Sequence, residues 1–495
     1  MDSLAKLIKS MSKSEKRHFK LFAQSFSKKD SVYIQLFDAI DKQAEYDEAI
    51  LIKKLKIKHF SVSKKYLFDN ILKALRLYHA ENNLLFQIVE NLQNITLLRH
   101  RGMIKEAIKI YEKTYEQLHN NHIYTLLIEL LNTGEVLWES YLPNKEMPDK
   151  LMELHHQRLD YIHHLESIIS YRALARDVKN TLRILHPIRN EEQEAEILKF
   201  LHNPLLQVPK SSNILAQSVY YECKTLCNTA LLKNEEVKTD TQEAIEALEN
   251  QEKLSALSVK ALVNNLGNCL LACAKLKDTA TFEVLSKKYQ DLQENIKGKM
   301  GNRFDVVVEK VYYNYMTSYF SEQEDFKELI DLEPKVGYFW RKYDDFLDSD
   351  WKMTVSFFFA QAFFYENKLD KAQEWVEIIL DEEKNNPKIP CICNARILNL
   401  MIHYEKKNFM LLYSLFRSTR RYLNKNERFF QGERDMLNFF KWVGENHDAP
   451  NLKEKINKLS MKLEELKEYK YEKNFFEEMK LHLWLEKKSS PNLTN

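Results

Sequence analysis

Six cysteines form three close pairs, and their thiols are the side chains with the widest possible chemistry in this sequence. The pairs are Cys223/Cys227, Cys269/Cys273 and Cys391/Cys393. An i,i+4 pair on a straight helix suits a disulfide poorly, because the bridge needs Cβ atoms about 3.8 Å apart. Corresponding members of the first two pairs are 46 residues apart, so four thiolates on neighbouring stacked helices could bind zinc. The alternative is that free cysteine packs as a small hydrophobe on a buried helix face, and we expect this alternative.

Two histidine pairs, His155-His156 and His163-His164, fall on one predicted helix. They are seven to nine residues apart, which is about 10–14 Å along a helix axis. One zinc ion cannot span that distance with zinc–nitrogen bonds of about 2.1 Å. The sequence also contains no dinucleotide-binding glycine motif, phosphate-binding loop, zinc-protease motif or nucleophile elbow. We therefore expect no catalytic residue, no cofactor and no metal ion.

Residues 47–75 have the outline of a helix-turn-helix, with a short helix, a turn, and a longer helix that begins near residue 61. Lysines in this segment could neutralise phosphates; they are Lys53, Lys54, Lys56, Lys58, Lys64 and Lys65. Residues 1–80 carry 17 Lys+Arg against 9 Asp+Glu, whereas the remaining residues carry 57 against 63. A basic head thus precedes a mildly acidic body. Nucleic-acid binding is one interpretation, and a solvated or protein-docking face is the other.

Aromatic residues are denser in one region than a single buried helix stripe can hide: Tyr312, Tyr313, Tyr315 and Tyr319, followed by Phe339, Trp340 and Tyr343. Tyrosine and tryptophan are favoured anchors at protein interfaces. We therefore take Tyr312, Tyr315, Tyr319 and Trp340 as candidate protein-binding residues. Core packing is the alternative role for each of them.

Composition indicates long helices joined by short polar turns. The chain of 495 residues has 8 Gly and 10 Pro, where average usage would give roughly 35 and 25. The glycine shortage argues against nucleotide-binding folds, whose phosphate loops need a flexible backbone. No uncharged apolar run approaches the ~18 residues of a membrane span. The first residues lack the pattern of a secretion signal, so we expect a cytoplasmic protein with no membrane partner.

The helices form a recurring unit, seen most plainly in residues 354–423. A helix over residues 355–365 is followed by a polar break at residues 366–368 and then by a second helix. That second helix carries apolar residues at spacings of three and four, which mark one helical stripe: Leu369, Ala372, Val376 and Ile379. The unit is therefore a helix, a short turn and a helix.

The unit also has a period. Val219-Tyr220-Tyr221 recurs as Val311-Tyr312-Tyr313 after 92 residues, which is twice 46. Over about residues 85–425 the chain resembles a degenerate tetratricopeptide repeat protein, with repeats of 40–46 residues instead of 34. The resemblance implies stacked helical hairpins that bind other macromolecules. It assigns no binding residue, because the family's characteristic Trp and Pro are mostly missing.

We thus predict an all-α fold, a right-handed superhelical solenoid of helical hairpins behind a small helical N-terminal module. The predicted regions are the basic module 1–80, a first array 82–202 with helices over 151–165 and 168–185, a second array 210–425, capping helices 426–488 and a tail 489–495. The expected function is that of a non-enzymatic scaffold or adaptor that binds a protein or peptide partner. The alternative is a nucleic-acid-binding regulator, with residues 1–80 on DNA or RNA and the repeats sensing a partner.

Overall fold

The structure is a computed structural model that describes residues 2–24, 32–57, 59–80, 83–185, 187–207, 213–251, 254–382, 389–446 and 451–489. These residues form 25 α-helices and short 3₁₀ turns, and no strand occurs among them. The predicted all-α solenoid of packed helices is confirmed. By its internal contacts the chain divides into two compact units, residues 1–162 and 163–495. The predicted region boundaries stay predictions, and the predicted tail lies, beyond Ser489, outside the described residues.

The first unit begins with five helices that enclose a core of their own, in which the rings of Phe19 and Phe37 lie 4.7 Å apart. Ser12 and Glu15 exchange hydrogen bonds as a capping box, and the side chain of Asp47 caps the fourth helix. The helices of this unit are α1 (Ser3–Ser10), α2 (Lys13–Gln24), α3 (Val32–Lys42), α4 (Glu48–Leu55), α5 (Phe60–Ala80), α6 (Leu84–His100), α7 (Ile104–Asn120) and α8 (Tyr124–Tyr141).

Helix α9 (Met147–Leu185) is a single helix of 39 residues that runs through the division between the units. The prediction of two helices over 151–165 and 168–185 is therefore wrong. The physical reason is plain in the sequence, because no Gly or Pro occurs between Pro148 and Pro187 to interrupt the helix. Pro148 itself is tolerated because it stands in the first turn.

The second unit contains the large hydrophobic core, which runs from Val306 to Leu485. Its remaining helices are α10 (Glu191–Leu201), α11 (Pro204–Gln207), α12 (Ile214–Ala230), α13 (Asn234–Glu249), α14 (Ala256–Lys275), α15 (Thr279–Ile296), α16 (Asn302–Glu322), α17 (Phe326–Tyr343), α18 (Ser349–Tyr365), α19 (Leu369–Asp381), α20 (Ile389–Glu405), α21 (Phe409–Lys425), α22 (Gln431–Glu445), α23 (Leu452–Glu465), α24 (Lys473–Glu478) and α25 (Leu481–Ser489).

The hairpins of the second unit share one turn geometry, in which a residue in the left-handed backbone conformation follows the first helix of each hairpin. These residues are Leu232, Lys277, Glu324, Asn367 and Lys407. At each turn the residue after the left-handed one donates its N–H to the carbonyl five positions back, the signature of a Schellman motif. Successive turns are 45, 47, 43 and 40 residues apart, close to the predicted repeat of 40–46. Each repeat therefore reverses the chain in the same way without needing glycine.

Helix α14 is long and apolar enough to cross a membrane when judged by length and composition alone. In the structure it packs against α12, α13, α15 and α16, and most of its apolar window is buried among them. A core helix of this kind passes the same test as a membrane span. Burial inside the array accounts for its composition.

Candidate functional site

The candidate site lies on one face of the second unit. Helices α12, α14, α16, α18, α20 and α22 pack against one another in this order, and each intervening helix packs behind two of them. We call the surface of these six helices the first-helix face, because each begins a hairpin. The last part of the chain, residues 469–489, lies against part of this face, and we call it the C-terminal segment.

The first-helix face holds the C-terminal segment by hydrogen bonds to its backbone. The amide nitrogen Nε2 of Gln361 donates to the carbonyl oxygen of Glu478 at 2.7 Å. The hydroxyl of Tyr365 donates to the carbonyl oxygens of Met479 and Lys480, at 2.7 and 2.8 Å. The carbonyls of Glu478 and Met479 stand at the end of α24, where a helix leaves its carbonyl groups without internal partners. Side chains of α18 thus satisfy the exposed backbone of the segment.

An aromatic anchor fixes the same segment. Trp484 is 1% exposed, and its ring lies 5.8 Å from that of Tyr404 and 6.1 Å from that of Phe439. Its indole N–H donates to Glu405 at 2.7 Å, and Lys488 donates to the other oxygen of that carboxylate at 2.7 Å. The buried ring therefore has its one polar group satisfied, as a buried tryptophan requires.

A carboxylate on α16 joins the segment to the neighbouring part of the face. Glu322 binds the ammonium group of Lys275 from α14 and, at 3.3 Å, that of Lys480 from the segment. Burial acts to raise the pKa of Glu322, but the two ammonium groups lower it overall. Glu322 is therefore held ionised between the two lysines.

A buried arginine ties the beginning of the second unit to its end. Arg189 donates to Glu433 at 2.8 Å and to the carbonyl oxygen of Tyr471 at 3.1 Å, and its guanidinium lies 4.8 Å from the ring centroid of Phe430. The side chains of Arg189 and Glu433 are only 4% and 3% exposed. Burial raises the pKa of Glu433 to about 7, although Arg189 acts in the opposite direction. This ion pair is isolated from water.

A second arginine adds to these contacts between the beginning and the end of the second unit, and we call the contacts of the two arginines the closure. Arg428 donates to the carbonyl oxygens of Ile184 and Pro187, at 3.1 and 3.2 Å, where α9 ends. Nearby, the exposed Lys470 pairs with Glu194 of α10 at 2.5 Å. Residues separated by more than 240 positions in the chain therefore meet, and the array of the second unit closes on itself.

The part of the first-helix face made by α12, α14 and α16 contains an open groove with a cavity volume of about 180 Å³. Asn264 and Asn268 of α14 and Asn314 of α16 line it, and none of their side chains hydrogen-bonds to a described residue. The two helices are close together at the floor of the groove, since a Cβ atom on Gly267 would lie 2.5 Å from Cγ1 of Val311. Glycine is required there because α14 and α16 approach so closely.

The four aromatic residues that the sequence singled out differ in how deeply the structure buries them. Tyr315 is fully buried, which matches core packing, its alternative role. Tyr312 and Tyr319 are half-buried, and the ring of Tyr319 stacks on Phe282 with centroids 3.8 Å apart. Trp340 is also half-buried, and ring contacts through Tyr313, Phe339 and Trp351 connect it to Tyr312. Protein binding by Tyr312, Tyr319 and Trp340 stays a prediction, whereas Tyr315 has no surface to offer.

The lysines predicted to contact nucleic acid have different environments. Lys53 and Lys54 are exposed in the last turn of α4, and Lys56 follows it in the left-handed conformation. Lys65 is exposed on α5, and Lys58 lies outside the described residues. Four of the six are therefore free to meet a partner at the surface.

The remaining one, Lys64, is engaged within the first unit. Its ammonium group binds Asp2 at 2.8 Å and Glu48 at 2.6 Å. Burial acts to lower the pKa of Lys64, but these hydrogen bonds raise it overall. Its role is to join α1, α4 and α5, and binding a phosphate would require breaking both contacts.

The cysteines and histidines form no metal site among the described residues, in which no three His, Cys, Asp or Glu side chains are grouped to hold an ion. All six cysteines are free thiols, and burial raises the pKa of Cys223 and Cys227 to about 12. Such thiols are poor nucleophiles and poor metal ligands. Five of the six cysteines are buried on helix faces, as the alternative of small hydrophobes expects, and Cys391 is partly exposed.

Sequence reasoning missed two sets of residues. The asparagines Asn264 and Asn268 stand one helical turn apart on the mainly apolar α14, and that spacing is a signal which the sequence itself contains. Arg189 and Glu433 gave no signal, because 244 positions separate them and no periodic pattern connects a loop to a distant helix.

No protein-family model matches the sequence, and neither a curated protein nor a solved structure matches it. The chemistry of the first-helix face is therefore the basis for assigning a function.

Proposed function

We propose that the protein is a non-enzymatic scaffold or adaptor that binds a protein or peptide partner on its first-helix face. The observation that carries this proposal is the way α18 holds the C-terminal segment. Gln361 and Tyr365 donate to backbone carbonyls, and backbone groups are common to every peptide. A surface that already binds one stretch of polypeptide in this way is chemically suited to bind another.

The repeated hairpin supports a tetratricopeptide-like assignment. Its turns recur at 40–47 residues with one backbone geometry, and each hairpin contacts its neighbours in order. In arrays of this kind, stacking leaves an extended surface of side chains from successive repeats, which such proteins use for binding. The open groove is lined by side chains from the successive helices α12, α14 and α16, which supports the proposal.

We also propose a reducing compartment, the cytoplasm. All six cysteines are free thiols, and disulfides are rare where glutathione and thioredoxin keep thiols reduced.

The test is affinity purification of the full-length protein from a native lysate with nuclease added. Two variants make the comparison. Ala261→Arg puts a long charged side chain into the groove that Ala261 lines, and Val284→Arg puts the same side chain on an exposed site of α15. We expect the unaltered chain and Val284→Arg to retain the same protein, and Ala261→Arg to lose it. Retention by all three chains, or by none, would reject the first-helix face as the binding surface.

A second candidate function, nucleic-acid binding by the first unit, is favoured by the exposure of Lys53, Lys54 and Lys65. Under this alternative, replacing all three lysines by Glu weakens binding to a 20-base-pair duplex. The slope of log affinity against log salt concentration becomes shallower by about 3. The matched control reverses three exposed lysines of α7: Lys105, Lys109 and Lys113. Equal weakening by both triple variants would indicate only non-specific attraction.

A further inference from the structure

The open groove carries polar groups that have no partner within the described part of the protein. The side chains of Asn264, Asn268 and Asn314 make no hydrogen bond there. Asn264 is exposed, and Asn268 and Asn314 are partly exposed, so their amides can be reached from the groove. A ligand bound there can therefore supply hydrogen-bond partners for these side chains.

The chemistry of the asparagines indicates which partners these are. A side-chain amide offers donors and an acceptor from one planar group. The backbone of an extended peptide offers an N–H and a C=O at each residue, whereas a helix interior has already used both. Gln361 and Tyr365 only donate, and they meet carbonyls at a helix end. The asparagine side chains are suited to a chain whose N–H and C=O groups are both free.

The spacing of the asparagines agrees with an extended chain. Asn264 and Asn268 are four residues apart on α14, which is about 6 Å along the helix axis. Two residues of a β-strand span about 6.6 Å. Alternate residues of a strand that runs along α14 can therefore face the two asparagines in turn, while Asn314 reaches the same strand from α16.

The groove also limits the side chains of such a ligand. Its cavity of about 180 Å³ is smaller than the roughly 300–1,000 Å³ of typical small-molecule pockets. The one charged residue among its lining side chains, Glu222, is paired with Lys179 at 2.5 Å. Small, uncharged side chains therefore fit where the ligand faces the groove.

We propose that the groove of α12, α14 and α16 binds an extended, uncharged peptide stretch of a partner protein, with Asn264, Asn268 and Asn314 pairing with its main chain. This inference rests on the proposed function and names the kind of ligand. The neighbouring part of the same face already holds polypeptide by its backbone, and the open groove continues that surface across the Lys275–Glu322 contact.

The probe is a library of random 12-residue peptides displayed on phage and selected on the full-length protein. Selected peptides are then synthesised, and their affinity is measured by fluorescence anisotropy. We expect Asn268→Ala to weaken binding about tenfold, because it removes two hydrogen bonds, and Asn314→Ala to weaken it similarly. Asn295→Ala on the exposed side of α15 is the matched control and leaves the affinity unchanged.

Main-chain recognition is tested on the peptide itself. Replacing one groove-facing amide by an ester removes its N–H and is expected to weaken binding about fivefold, whereas exchanging that residue between Ala and Ser changes affinity less than about twofold. Affinities insensitive to the ester and to Asn268→Ala would overturn the inference. If the lysate partner is retained but no peptide is selected, the groove inference fails while the proposed function stands; if neither is retained, both fail.

Discussion

The two parts of the first-helix face differ in what they present to a polypeptide. The part formed by α18, α20 and α22 presents donors, a carboxylate and aromatic rings, and the C-terminal segment fills it. The part formed by α12, α14 and α16 presents asparagines and small residues, and its groove is open. The same hairpin plan thus supports a surface built for its own chain beside one with unused hydrogen-bonding groups.

This difference shows how permanent and exchangeable contacts can be told apart. The filled part buries Trp484 and the Arg189–Glu433 pair, so releasing the C-terminal segment exposes large apolar and charged groups. No residue of the C-terminal segment lines the groove of the open part, so a ligand there can leave without disrupting the array. The filled part is therefore structural, whereas the open part is the proposed binding site, and variants in each part can test this distinction.

The largest effect is expected for Arg189→Ala. It leaves Glu433 buried without its partner, which costs about 3–5 kcal/mol in comparable buried pairs. Urea unfolding followed by tryptophan fluorescence measures it, because five of the six tryptophans lie in the second unit. Lys470→Ala, at the exposed pair of the same closure, is expected to cost below about 1 kcal/mol. Equal losses in the two variants would contradict a buried closure.

Trp484→Ala tests the anchor of the C-terminal segment. Removing this fully buried ring is expected to cost about 3–5 kcal/mol. It should also expose the segment, so that trypsin cleaves after Lys480, Lys487 or Lys488 faster than in the unaltered chain. Tyr469→Ala changes a residue of the same segment that is 63% exposed, and should alter neither measurement. An unchanged cleavage pattern in Trp484→Ala would show that other contacts hold the segment.

The closure also predicts a pH dependence through Glu433. Its folded-state pKa is raised from 4.5 to about 7, so its contribution to stability is full below pH 4.5 and is lost as the pH rises through 7. The difference amounts to about 3 kcal/mol. We expect the unaltered chain to lose stability relative to Glu433→Gln between pH 5 and pH 8. Parallel urea midpoints across that range would mean that Glu433 titrates normally.

The sequence predicted the elements of this fold well because helices are local. The capping box of Ser12 and Glu15, the cap at Asp47 and the period of the hairpins all depend on residues close together in the chain. The turns were harder to foresee, because Leu232 or Lys277 in the left-handed conformation costs about 1–2 kcal/mol. The hydrogen bonds of the turn offset that cost, so these turns form without glycine.

The candidate site was not predictable to the same extent. Tyr315 has the type expected of an interface anchor, yet its direction from the helix places it in the core. The spacing of Asn264 and Asn268 marks one side of α14 in the sequence, but only the approach of α16 makes Asn268 part of a groove. The Arg189–Glu433 pair depends on the sum of all the repeat rotations between them, which no local pattern contains.

Two glycines allow the two parts of the face to be compared by the same chemical change. In Gly432→Ala the new Cβ would lie 2.6 Å from the ring of Phe475, and in Gly267→Ala it would lie 2.5 Å from Cγ1 of Val311. Overpacking of this kind costs about 1–3 kcal/mol, so we expect similar losses of stability.

The two glycine variants should nevertheless differ in what they release. Gly432→Ala presses on the C-terminal segment and should increase trypsin cleavage there without changing peptide affinity. Gly267→Ala separates α14 from α16 and should weaken binding of the selected peptides while leaving the segment protected. Adding Val311→Ala removes the methyl group that the new Cβ meets, and should restore both stability and affinity. If Gly267→Ala loosens the C-terminal segment as much as Gly432→Ala does, the two parts of the face act as one surface, and the open groove cannot be an independent site.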